Sequence, residues 1–271
     1  MPFEDESATA REQLKMNNKL GVIRLEPQGP SGIGLVDMEL EQGDFQSPLP
    51  EQQIHVYFED EVLGLSVGVW TTTTMQEAFG PYPGDEFMWV LEGQAKMVDS
   101  DKNETLVKPG QSFCVRNGIP ISWKQEGFLR KFYITLAQPN TPLPEIDSAD
   151  GGVMVLNADQ LSDGLVTLEH TEPFVIEAGD PTQRDSPLFT NDSSTMFVGL
   201  WDSTPFESEM RPFPSHEFVQ LLEGEVSITE ENGETHLFKA GDAFFIPMGT
   251  VCQWRVKDTI KKYYAIVEPV E

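Results

Sequence analysis

Along this chain the apolar positions come in short runs that break at Gly, Pro and Asn. FMWVLEGQAKMV at 87–98, ETLVKPGQSFCV at 104–115, EVSITEENGETHLF at 225–238 and DAFFIPMGTVCQWRV at 242–256 are rich in β-branched and aromatic residues. Runs of this length between turn residues predict β-strands rather than helices. EENG at 230–233 predicts a hairpin joining EVSIT to THLF. Many short strands at close spacing predict an all-β sandwich or small barrel. In the strand from Glu217, one face carries Glu217, Val219 and Leu221, and the other Phe218, Gln220 and Leu222. The strand from Asp85 shows Glu86, Met88 and Val90 against Phe87, Trp89 and Leu91. Neither face is polar enough for water, so the outer face needs a cover from another sheet, domain or subunit.

The pattern occurs twice. Trp70 in VGVWTTT and Trp201 in VGLWDST lie 131 residues apart. The same offset carries PYPGDEFMWVLEG at 81–93 onto PFPSHEFVQLLEG at 212–224, and Gly110, Gly118, Trp123 and Tyr133 onto Gly241, Gly249, Trp254 and Tyr264. From about residue 65 to 136 no gap is needed, and roughly a quarter of the paired positions are identical. Upstream, Gly43-Asp44 and Gly179-Asp180 sit at offset 136, a small indel. A period this long implies two folded copies of one domain rather than a solenoid. The expected division is a polar segment at 1–19, helical or irregular, a first barrel at 20–137, a Pro/Gly/Asp-rich linker at 138–152 and a second barrel at 153–271.

Composition narrows the partners. Of the 271 residues, 45 are acidic and 18 basic, a formal charge of −27, which argues against nucleic acid or an anionic membrane as partner. No apolar run approaches the ~18 residues of a spanning helix, and MPFEDESATAREQ lacks the apolar stretch of a signal peptide. Cys114 and Cys252 form no disulfide framework, so a cytoplasmic, reducing location is expected.

Glu217 with Gly224 seven places on, and Glu86 with Gly93, match the E-x6-G half of the first cupin motif, G-x5-H-x-H-x3/4-E-x6-G. Gly241, Pro247 and Gly249 match the frame of the second, G-x5-P-x-G-x2-H-x3-N, and Gly110 and Gly118 match it with Arg116 in the proline's place. The chain thus resembles a cupin, and EFxxLLEGEVxIT…GDAFFIPxGTxxxW is similar to small cupins related to ureidoglycine aminohydrolase. The resemblance implies two tandem jelly-roll barrels, a bicupin. It also implies that two His, the Glu and the second-motif His would converge on a divalent metal, and there this chain departs. Arg211 and Phe213, or Met210 and Pro212, stand at the His-x-His positions and Cys252 at the third. In the first copy Gly80, Tyr82 and Ile121 replace the three histidines. One carboxylate per barrel is short of the three or four donors a divalent ion wants. No cofactor is expected, a metal at Glu217 and Cys252 being disfavoured.

The candidate pocket residues are therefore Tyr82, Glu86, Trp123, Arg211, Phe213, Glu217, Cys252 and Trp254. A lumen-facing Glu must be paired, hydrogen-bonded or protonated. It is either satisfied by an Arg, Tyr or Trp of its own barrel or free for an amine, hydroxyl or guanidinium ligand. Arg211 is a possible salt-bridge partner of Glu217 across the mouth. Cys252 reads as a buried, inert thiol, and Trp123 and Trp254 as lumen plugs or ligand walls. His216, next to Glu217, points to the opposite face and reads as a polar strand start, like its repeat partner Asp85. His55, His170 and His236 have no evident partner, and FEDE at 58–61 and TEEN at 229–232 read as solvated turns.

The function favoured is a bicupin that binds a small polar metabolite (amine, ureide or sugar-like) without a catalytic metal. The alternatives are a metal-dependent aminohydrolase, a metal-free acid–base isomerase or epimerase using Glu86 with Tyr82, and a structural dimerisation module. Whether the chain is an enzyme stays open at this level, and a homodimer is expected from the doubly apolar strands.

Overall fold

The computed structural model describes residues 20–139, 142–148 and 151–269. The N-terminal segment 1–19 lies outside them. The expected all-β architecture is what forms: two tandem jelly-roll barrels related by the internal repeat. Among the described residues each barrel pairs a seven-stranded sheet with a smaller one. In the first, the large sheet runs Val153–Leu156, Ser112–Val115, Asp85–Glu92, Leu129–Leu136, Leu65–Thr72, Gln52–Asp60, Val36–Asp37. In the second it runs Ile23–Leu25, Ala243–Ile246, His216–Glu223, Ile260–Val267, Met196–Ser203, Gln183–Thr190, Val166–Thr167. The hairpin read at EENG joins Glu225–Glu230 to Thr235–Lys239.

These orders contain a reciprocal exchange. Ile23–Leu25 leaves the first copy and pairs with Ala243–Ile246 of the second, Ile23 opposite Phe245. Val153–Leu156 leaves the second copy and pairs with Ser112–Val115 of the first, Met154 opposite Cys114. Both partners sit at the 131-residue offset, so the repeat begins earlier than the sequence identities suggest. Each copy's opening strand thus completes the other copy's sheet.

The cover demanded by the doubly apolar strands comes from within the chain. The large sheets pack face to face over one core that includes Phe58, Val69, Phe87 and Ile134 of the first copy and Val198, Phe218, Phe245 and Ala265 of the second. Ser112 donates across this junction to Gln220. His216 and Asp85, read as polar strand starts, also lie buried beside it. His216 Nδ1 accepts from the Met248 amide at 3.1 Å, and its ring stacks on Phe245 and meets Phe58. Asp85 accepts from the Asn117 amide at 3.0 Å and from Asn191 Nδ2 at 3.1 Å. Parity does turn both away from their own lumens, but toward the partner barrel rather than toward water.

Each barrel keeps a separate interior, one containing Met88, Val90, Phe113 and Trp123, the other Val219, Phe244, Cys252 and Trp254. Gly68 and Gly199 are required at one rung of each. Tyr133 lies across Gly68, and Tyr264 across Gly199. A Cβ would meet the tyrosine hydroxyl at 2.6 Å in the first case and 2.2 Å in the second.

Two acidic runs are not simple turns. Phe58 to Asp60 end the strand Gln52–Asp60, and Glu230 accepts from the Val22 amide at 2.8 Å and meets His236 Nε2 at 2.9 Å. That pair anchors the incoming first strand and gives His236 a partner.

Candidate functional site

In each lumen the strand that opens with the motif glutamate lies beside the strand that follows the second motif. The result is the same pair twice. Lys131 Nζ donates to Glu86 Oε1 at 2.7 Å, and Lys262 Nζ to Glu217 Oε1 at 2.5 Å. All four side chains are buried, 8% exposed for each member of the first pair and 5% and 3% for Lys262 and Glu217. Charges this deep persist only when they neutralise each other. The lysines are the functional residues that the motif comparison missed. Both fall on the 131-residue offset, each directly after another basic residue, Arg130 or Lys261, and on the face shared with Tyr133 and Tyr264.

Aromatic faces close around each ammonium. Lys131 Nζ lies 5.0 Å from the ring centre of Trp70 and 4.8 Å from that of Trp123. Lys262 Nζ lies 4.9 Å from Trp201 and 4.8 Å from Trp254. Trp70 is the direct cross-strand neighbour of Lys131, as Trp201 is of Lys262. Contacts at this range are attractive because the ring face is negative.

The site residues read from the sequence divide accordingly. Tyr82, Glu86 and Trp123 come together, with the Tyr82 hydroxyl donating to Glu86 Oε2. Glu217 and Trp254 come together around Lys262, and Phe213 stacks on Trp254. Arg211 does not join them. It sits at the exposed rim opposite Cys252 and faces Glu209 at 3.9 Å, so the pairing of Arg211 with Glu217 is corrected to Lys262 with Glu217. The longer reach of an Arg at the mouth is not needed when a lysine stands inside. Cys252 is buried, and burial together with the nearby Glu230 charge pushes its thiol up to about 12. No cation lowers it, so it stays protonated and unreactive.

Among the aligned positions that differ, four bear on the lumens. Where the first has Glu77, Tyr82, Met88 and Gln125, the second has Ser208, Phe213, Val219 and Val256. Glu77 is half-buried at the rim, and burial pushes its carboxyl up to about 7 against the opposing pull of Lys131, with Glu86 adding to the rise. Tyr82 is also half-buried. Burial and the Glu86 charge hold its hydroxyl well above the ordinary phenol range, so it acts only as a donor. In the second barrel Phe174 fills the corresponding space, packed on Trp201, Phe206, Phe213 and Trp254. The first lumen therefore carries two further half-buried polar groups, Glu77 and Tyr82, where the second packs Phe174 and Phe213 and places Asp185 against Tyr264.

This donor set does not suit a divalent cation. Each lumen carboxylate already accepts from an ammonium, and the thiol at the third position is protonated. Among the described residues no three His, Cys, Asp or Glu side chains cluster as ligands.

The architecture is that of a cupin. Residues 190–264 match the family model described as EutQ-like cupin domain. No curated protein matches the chain. Among solved structures, a protein of unknown function from Pseudomonas syringae pv. tomato str. DC3000, assigned to the DUF861 family, is similar at a TM-score of 0.73 and 23% identity. The match covers 92% of this chain and all of that one. A cupin 2 conserved barrel domain protein from Leptotrichia buccalis follows at TM-score 0.55 and 11% identity, covering 82% of this chain and 92% of its own. A putative glyoxylate induced protein from Pseudomonas aeruginosa gives TM-score 0.52 and 14% identity, covering 87% and 86%. These likenesses speak for the fold. Among the described residues no helix is long and apolar enough to cross a membrane.

Proposed function

We propose that this protein is a metal-independent bicupin that binds a small polar metabolite in its first barrel. The observation that carries the reading is the asymmetry between two otherwise matched lumens. Where the second has Ser208 and Phe213, the first adds Glu77 and Tyr82 to the shared Lys–Glu pair and leaves both half-buried. There a ligand meets a hydroxyl, carboxyl groups and an ammonium between two indole faces. That setting suits a molecule carrying both hydrogen-bond donors and acceptors, such as an amine, ureide or sugar-like compound. Cupin fold alone does not name the ligand.

A second reading rests on Glu77. A carboxyl poised near 7 both holds and releases a proton at neutral pH, which is what a general acid–base needs. With Tyr82 as donor, the same lumen supports a metal-free isomerase or epimerase. The aminohydrolase alternative needs a metal-activated water, for which neither lumen supplies the donors.

The test is thermal unfolding of the wild-type chain across a panel of amines, amino acids, ureides and sugars. Compounds that stabilise wild type are then repeated on Glu86→Gln and Glu217→Gln. The reading expects stabilisation that Glu86→Gln abolishes and Glu217→Gln retains. Loss in the second variant alone overturns the assignment to the first barrel.

A further inference from the structure

The two Lys–Glu pairs share an unusual construction. In each, a carboxylate and two tryptophan faces surround one positive group near the middle of a barrel, and that group belongs to the chain itself. Around it the two copies have drifted. Tyr82 faces Phe213 in the alignment, Met88 faces Val219 and Gln125 faces Val256, yet the carboxylate, both tryptophans and the lysine are the same in each.

We infer that Lys131 and Lys262 are the resident cations of the two barrels, and that a lumen deprived of its lysine becomes a binding site for a small primary alkylammonium ion such as methylammonium. The inference does not rest on the ligand reading for the first barrel, because it holds equally in the second one. Its physical basis is charge balance. A carboxylate as buried as Glu217, only 3% exposed, needs a positive partner or must take up a proton. A metal with several histidines is one solution, and an ammonium is another. The ammonium needs fewer protein ligands, because one carboxylate accepts from it and aromatic faces attract the rest of its surface. In the first barrel Met88 Sδ adds a further contact at 2.9 Å from Lys131 Nζ. Truncating the lysine to alanine removes a tether and leaves a space bounded by carboxylate and indoles, shaped for the group that was lost.

The experiment uses the full chain with Lys262→Ala, the copy in which the second carboxyl that feels the lysine, Asp185, already accepts from the Tyr264 hydroxyl. Thermal unfolding is followed in methylammonium chloride and in sodium chloride at matched ionic strength. The variant is expected to lose about 5 °C or more in Tm, and methylammonium is expected to restore at least half of that loss with saturable dependence. Sodium, and tetramethylammonium, which donates no hydrogen bond, are expected to restore none. The double variant Glu217→Gln with Lys262→Ala, lacking the carboxylate, is expected to be indifferent to methylammonium. Equal responses of wild type, single and double variants would overturn the inference.

A measurement on the wild-type protein covers the case in which Lys262→Ala does not fold. Proton–nitrogen correlation of lysine side chains at near-neutral pH is expected to show two slowly exchanging ammonium signals, both moved upfield by the indole ring currents. Fewer than two such signals would show that the lysines are not held charged between the rings, and the inference would fail.

Discussion

Phe87 and Phe218, aligned residues of the two copies, meet edge to face with ring centres 5.5 Å apart at the middle of the junction between barrels. Both are fully buried, and each is the outward neighbour of a lumen glutamate. One strand thus serves two interiors. Glu86, Met88 and Val90 of the first copy and Glu217, Val219 and Leu221 of the second line a lumen, while Phe87 and Phe218 between them build the contact between copies.

Phe87→Ala is expected to cost roughly 3–5 kcal/mol, the usual range for an aromatic removed from a packed core. Because the junction core contains residues of both copies, urea unfolding followed by tryptophan fluorescence should show both barrels weakened together. A loss confined to one transition would show that the copies unfold independently.

The buried ion pairs should respond unequally to neutralisation. Glu217→Gln leaves Lys262 with Asp185, a carboxyl already engaged by the Tyr264 hydroxyl, and breaking a buried pair typically costs about 3–5 kcal/mol. Glu86→Gln leaves Lys131 within reach of Glu77, which can ionise in compensation. The expected order is a smaller loss for Glu86→Gln than for Glu217→Gln, read from urea midpoints of the two variants. The reverse order would remove Glu77 from the first lumen's charge balance.

Glu77 also sets a pH dependence. Its carboxyl lies near 7 in the folded chain, against an ordinary value of 4.5 when unfolded. Between those values the folded state holds the proton that the unfolded state has lost, so the contribution is complete below 4.5 and fades as pH rises through 7. His216, held below its ordinary value by burial, works in the opposite sense and is lost as pH falls. Comparing wild type with Glu77→Gln at pH 5 and pH 8 isolates the first effect. The stability of wild type relative to the variant is expected to fall from the lower to the higher pH, and a constant difference would show that Glu77 titrates normally.

Neither cysteine should react in the native protein. Cys252 is pushed up to about 12, and burial raises Cys114 as well. At neutral pH a chromogenic disulfide reagent is expected to label no thiol until denaturant is added, and then to label both. Prompt labelling of Cys252 would restore it as a candidate nucleophile.

The exchanged strands give a local test. Ile23→Pro removes an amide from the ladder with Phe245. Amide exchange is expected to quicken at Ala243–Ile246, far along the chain, and to change little in the strands of the first copy's smaller sheet. Unchanged exchange at Ala243–Ile246 would argue against the pairing in solution.

Much of the architecture was legible because repetition and turn chemistry are local signals. The offset between Trp70 and Trp201, the hairpin at EENG and the two apolar faces of the strand from Glu217 all point to duplicated β-barrels with a covered outer face. The site was legible only in part. Glu86, Tyr82, Glu217 and the tryptophans announce themselves through motif spacing. Lys131 and Lys262 occupy no position in the metal motif, and a lysine in a strand reads as an edge or surface residue. Their identity at the 131-residue offset, on the same strand face as the repeated tyrosines, was the available signal. Arg211, one possible partner of Glu217 by its place in the motif, lies at the exposed rim, and Lys262 pairs with Glu217 instead. The exchange of opening strands was not legible at all, since IRL and MVL share little beyond their apolar character.

That exchange has a consequence for how the molecule comes into being. During synthesis Val153–Leu156 follows the first copy's last strand closely and can close its sheet early, but Ile23–Leu25 must wait for Ala243–Ile246, made more than 200 residues later. The first strand among the described residues is thus among the last to dock, with its pairing edge unoccupied while the ribosome works through the second copy. Such long-range closure is slow compared with hairpin formation, and it makes correct assembly a property of the finished chain rather than of either half.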